Sequence, residues 1–151
     1  MATSSDPQWF TALTWSTPLP VETLWSGGPH RNVAPASPGV YVFTLFDGPL
    51  TLSMKLGVLY VGKAKNLLTR TRSYLVDPAN VATTGRTGQQ SKSLNHAGKV
   101  NILVTIVGRS QGAGPSGVFF RWAVTPTVTD AEHAEKLLTN YFQPAHNTYN
   151  L

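Results

Sequence analysis

Residues 59–75 read LYVGKAKNLLTRTRSYL, and their reading decides the fold. An apolar, β-branched and aromatic run breaks at Gly62. It passes at once into a segment of good helix formers with no further Gly or Pro until Pro78. The break predicts a strand over 55–62 and a helix over 64–75. The helix carries Lys65, Arg70 and Arg72, and Lys63 directly follows the glycine. On a helical wheel Arg70 falls on the same side as Leu67 and Tyr74, while Arg72 points about 160° away from it. Arg72 is therefore expected in solvent. Arg70 is expected to face the sheet, where a lone guanidinium suits a bidentate oxyanion. At Gly62 the backbone can approach a ligand closely.

Working outward, GVYVFTLF at 39–46 has strand composition and FDGPL at 46–50 signals a turn. These residues and 55–62 are expected to form an antiparallel hairpin. Further strands are expected at 100–107 and 118–124, with a long polar loop at 77–99. A last helix is expected at 129–142, with Thr129 as its cap, Glu132 completing a capping box and Pro144 ending it. The order β-β-α-β-β-α predicts an α+β fold, a small antiparallel sheet flanked by helices. Residues 1–37 are expected to form an irregular arm. Its Trp9, Phe10, Trp15 and Trp25 need burial against the body of the domain, 38–151.

The charge is uneven. Residues 55–121 hold ten Lys and Arg against Asp77 alone, a local charge of +9 in a chain whose net charge is +5. Such a block points to a polyanion, and Lys65, Arg72, Arg86, Lys92 and Lys99 are the expected nucleic-acid contacts. The absence of cysteine excludes disulfides and thiolate metal sites. No apolar run is long enough for a membrane span and no signal peptide is evident, so cytoplasm is the expected location.

One acid resists a structural reading. On the wheel of the last helix Glu135 lies within about 60° of Ala131, Leu138 and Phe142. A carboxylate on an apolar stripe must be paired, protonated or bound to a metal. Tyr41 and Tyr60, on the two paired strands, read singly as core. With Lys63, Arg70 and Glu135 they make a candidate site for cutting a phosphodiester. The four histidines have neither zinc-ligand spacing nor a helical placement facing this group.

GVY at 39–41, YVGKAKNLLTRTRSY at 60–74, and Glu135 followed by PAHN at 144–147 together resemble the GIY-YIG nucleases. The likeness is closest to the N-terminal nuclease domain of the bacterial excision-repair incision endonuclease. The resemblance implies an α+β domain with a central antiparallel sheet of about three strands. It implies one divalent ion, Mg²⁺ or Mn²⁺, held by Glu135. By the same match Tyr41 and Tyr60 line the site, Arg70 contacts phosphate, Lys63 supports the nucleophile side, and Gly62, Tyr74 and Asn147 support them. Tyr41 is assigned as the base that takes a proton from the attacking water.

The tyrosines are 19 residues apart, longer than in the excision nuclease, so 46–57 reads as an insertion. The expected function is a metal-dependent DNA endonuclease, restriction-like or mobile-element-like, acting alone, as a homodimer or with an unseen partner protein. A nuclease toxin on DNA or RNA and a catalytically silent nucleic-acid-binding module are the alternatives.

Overall fold

A computed structural model describes residues 6–24, 29–30, 32–54, 57–73 and 117–144. The predicted strand at 100–107 and loop at 77–99 lie outside the described residues. So do Trp25, Tyr74, Arg86, Lys92, Lys99 and Asn147, and the side chain of Arg72. The elements are α1 (Gln8–Thr11), β1 (Leu19–Pro20), a 3-10 turn (Val21–Thr23), β2 (Gly39–Thr44), β3 (Val58–Ala64), α2 (Leu67–Ser73), β4 (Phe119–Val124) and α3 (Val128–Phe142).

Among the described residues the sheet is antiparallel in the order β1-β4-β2-β3, with β2 paired along both edges. Its residues read GVYVFT and all six are buried, as a strand covered on both faces requires. Alternation sends Tyr41 and Phe43 to one face, with Tyr60, Phe120 and Leu67. It sends Val40 and Val42 to the other, with Val61, Ala131, Ala134, Leu138 and Phe142. So α3 covers the valine face, and α2 contributes Leu67 to the tyrosine face. Each fully buried aliphatic such as Leu138 contributes about 1.5–3 kcal/mol.

The hairpin of β2 and β3 forms as the alternation predicts. Its boundary differs at the decisive glycine: β3 does not end at Gly62 but continues through Lys63 and Ala64. Two interactions explain this. Gly39 and Val40 pair with Ala64 and Lys63, extending the ladder, and Asn66 is the better helix start because its Oδ1 accepts from the Thr69 N–H at 3.0 Å.

The cap of α3 also differs. Thr127, not Thr129, is the cap: its Oγ1 accepts from the Asp130 N–H at 3.1 Å and its hydroxyl donates to Asp130 Oδ2 at 2.9 Å. Thr127 with Asp130 satisfies the same spacing as Thr129 with Glu132, and Glu132 is released from capping. The helix ends as expected, with Gln143 in the left-handed region before Pro144.

The N-terminal arm is more regular than its composition suggests. Its β1 adds a fourth strand beside β4, and Ser16 exchanges hydrogen bonds with the Trp122 backbone at 2.7 and 3.0 Å. Pro20 lacks an N–H, which suits an edge strand. Phe10 is buried in the valine-face core, and Trp9 and Trp15 pack against it.

One member of the basic block is spent inside the protein. Arg121 on β4 is 1% exposed. It donates to Gly48 O and Phe46 O, each at 2.7 Å, and to Thr44 Oγ1 at 3.0 Å, and its guanidinium lies 5.1 Å from the centre of the Phe46 ring. Burial pulls its pKa below the ordinary arginine value, and Asp47 opposes that fall. It cannot serve a polyanion. It pins the turn that leaves β2.

Candidate active site

Of the residues singled out in the sequence, Tyr41, Gly62, Lys63 and Arg70 come together at the end of the sheet where β2 begins and β3 ends. Tyr41 pairs with Gly62 across the two strands. The ring of Tyr41 lies over that glycine, so a Cβ at Gly62 would collide with the ring and its hydroxyl. Gly39 is confined in a similar way, by the Ala123 carbonyl and by Leu67. Both glycines thus make room for neighbours rather than for unusual backbone angles.

Tyr41 is wholly buried, its ring 5.5 Å from Phe120, 6.1 Å from Phe43 and 6.3 Å from Tyr60. Tyr60 is buried too, on the same face. The polar end of this aromatic group meets Arg70. Its Nη1 donates to Tyr41 Oη at 3.4 Å and to the Lys63 carbonyl at 3.0 Å. The predicted inward turn of Arg70 is therefore observed, and the guanidinium ties α2 to both strands of the hairpin.

Lys63 joins the two faces. In the ladder it lies opposite Val40, on the valine face. Its carbonyl meets Arg70, while its ammonium lies 3.9 Å from Glu132 Oε2 on α3. Glu135 is half-buried, between the solvent and the apolar stripe of α3. Burial pushes its carboxyl above the usual carboxylate range; Lys63 and then Lys136 pull it back, and Glu132 adds to the rise. Glu135 is thus linked to the group through Lys63. Tyr41, Tyr60 and Arg70 belong to the tyrosine face, and Glu135 to the other.

Lys65 is exposed just beyond β3. With Lys63 and Arg70 it forms the described part of the basic surface at this end. Two contributors were missed in the sequence. The N–H groups of Leu67 and Leu68, at the start of α2, donate to Ser37 O at 2.8 Å and Pro35 O at 3.0 Å. Carbonyls of a proline-rich connector carry no side-chain signal. Glu132 is the second. Its signal was present, because Thr127 and Asp130 offered an equal cap three residues apart.

A family model described as GIY-YIG domain-containing protein matches residues 47–150. The match takes in β3, α2, β4 and α3 and begins just after β2. Neither the curated proteins nor the solved structures that were compared give a match. The matched residues make up more than half of the chain and include the strand and the two helices that carry Tyr60, Lys63, Arg70 and Glu135, so the chain belongs to the GIY-YIG family, a family of nucleases.

Proposed function

We propose that this protein is an endonuclease that hydrolyses DNA phosphodiesters with the help of one divalent cation, in a restriction-like or mobile-element-like role. The observation that carries this reading is the guanidinium of Arg70. It sits between the Tyr41 hydroxyl and the Lys63 carbonyl, at the end of the sheet where Glu135 is half-buried.

The donor set suits a particular kind of ion. Among the described residues no three His, Cys, Asp or Glu gather into a group that could enclose a metal. One partly desolvated carboxylate, Glu135, suits a hard cation such as Mg²⁺ or Mn²⁺ that keeps most of its waters or takes phosphate oxygens. Such an ion would supply positive charge to the scissile phosphate and the departing oxygen. Arg70 neutralises a non-bridging oxygen of the phosphate. Tyr41, once ionised to the phenolate, accepts the proton of the attacking water and becomes the neutral phenol, and Tyr60 holds the Tyr41 ring in place. Lys63 carries the nucleophile side, and Lys65 extends the contact along the backbone of the nucleic acid.

Among the described residues no helix is long and apolar enough to cross a membrane, and we place the activity in the cytoplasm. The experiment is direct. Supercoiled plasmid and a structured RNA are incubated with the protein in Mg²⁺, Mn²⁺ or EDTA, and the cut ends are sequenced. Cation-dependent cutting of plasmid at defined ends supports the reading. Ragged ends or RNA cleavage would move the role to a toxin-like nuclease. Cutting that persists undiminished in EDTA would remove the metal from it.

A further inference from the structure

Glu132 is free of the role its position suggests. The N-terminus of α3 is capped by Thr127 and Asp130, which bond to each other. One helical turn before Glu135, Glu132 instead approaches Lys63, with Oε2 and Nζ 3.9 Å apart and side chains 54% and 50% exposed. The same ammonium acts on Glu135, and more strongly than Lys136 does. Lys63 therefore sits in the field of two carboxylates three residues apart on one helix. Nothing in the backbone requires this. β3 fixes only the direction in which Lys63 leaves the sheet, and a four-carbon side chain with half its surface in water has many other rotamers.

We propose that Glu132 is a positioning residue that holds the Lys63 ammonium on the α3 face, beside Glu135. This rests on the nuclease reading of the site. Exposed and loose, such a pair is cheap to break, so it biases where Lys63 stands without locking it. Glu132 then acts in two opposed ways. Its negative charge disfavours an approaching polyanion, and its hold on Lys63 favours the chemical step. Neutralising it should tighten substrate binding and slow turnover together. A plain surface charge would change binding alone.

The test compares wild type, Glu132→Gln and Glu132→Asp. Plasmid cleavage in Mg²⁺ gives KM and kcat, the side-chain ammonium resonances of Lys63 and Lys65 are followed by NMR in the free protein, and thermal melting checks the fold. For Glu132→Gln we expect KM and kcat each to fall about two- to fivefold, the range set by exposed ion pairs, with the melting temperature unchanged. Glu132→Asp should recover kcat in part. The Lys63 resonance should move and the Lys65 resonance should not. A fall in KM with kcat unchanged would reduce Glu132 to a surface charge, and a drop in melting temperature with a rise in KM would reduce it to a structural one. Either result overturns the proposal, as does an unmoved Lys63 resonance. If the wild type cuts nothing with any cation, the nuclease reading fails, while the ammonium shift still reports whether Glu132 holds Lys63.

Discussion

Two arginines grip β2 at its opposite ends, and they do so with the same chemistry. Arg121 donates to two backbone carbonyls and the Thr44 hydroxyl near the end of the strand. Arg70 donates to one backbone carbonyl and the Tyr41 hydroxyl nearer its beginning. Arg121 is sealed in, with an aromatic ring beside its guanidinium. Arg70 is only half-buried and stands next to exposed Lys63 and Lys65. A guanidinium sealed in the interior, with both terminal nitrogens bonded to protein oxygens, is structure. One that uses the same bonds at a solvent-facing, cationic end of the sheet can exchange a partner for phosphate. Residue type does not separate these roles; the surroundings do.

The sharpest way to break this comparison is to remove each arginine. Arg70→Ala should lower plasmid cleavage by about 10²–10³, as loss of a preorganised charge donor does, and shift the melting temperature by only a few degrees. Tyr41→Phe should cost a similar factor, about 10²–10⁴, if the phenol is the base. Cleavage within tenfold of wild type in either variant would return that residue to the structural class.

Arg121→Leu should show the reverse. It removes three hydrogen bonds from a charged donor, to Gly48 O, Phe46 O and Thr44 Oγ1, each worth about 1.5–3 kcal/mol, and leaves only the Thr44 hydroxyl bonded to Phe46 O. With about 2–4 °C per kcal/mol for a chain of this size, the melting temperature should drop by about 10 °C or more. At low temperature the folded fraction should still cut. A variant as stable as wild type would show that Arg121 does not pin the turn.

Gly62→Ala comes next in size. The added methyl collides with the Tyr41 ring, and overpacking of this kind costs about 1–3 kcal/mol. Activity should fall more than stability, because the ring that moves carries the hydroxyl bonded to Arg70. Equal losses in the two measurements would separate the ring from the chemistry.

The smallest effect concerns Glu135 in metal-free buffer. Its carboxyl titrates above the unfolded value because burial disfavours the charge. Such a group contributes stability at pH below its unfolded pKa, and that contribution is lost as pH rises through the raised folded pKa. Glu135→Gln never ionises. Its melting temperature, compared with wild type, should therefore be higher at pH 7, and the gain should shrink toward pH 4. The same variant should not cut plasmid. A gain that is constant across pH would mean that the charge is not the source of the strain.

Much of this was legible in the chain. Alternation in GVYVFT and the turn signal at 46–50 gave the hairpin, and helical spacing placed Arg70 inward and Glu135 on the apolar stripe, where the structure leaves it half-buried at the border with solvent. What stayed hidden has physical causes. The end of β3 was misread because Gly62 looks like a strand breaker, whereas it is the seat of a ring from the next strand. Arg121 entered the count of the basic block because charge in a sequence says nothing of burial. The hold on the start of α2 came from the carbonyls of Pro35 and Ser37, which every residue possesses. The roles of Tyr74, Asn147, Arg86, Lys92 and Lys99 lie outside the described residues.

The fit of the Tyr41 ring over Gly62 also works as an alignment key for the hairpin. Slide either strand by one residue and the ring meets a side chain where the glycine had been, while Tyr41 and Gly62 part company. The register is thus fixed at the working end, not by the turn. The connection between β2 and β3 can then vary in length without moving the phenol from its place beside Arg70. The site carries its own ruler, and length can accumulate at the far end of the hairpin without disturbing it.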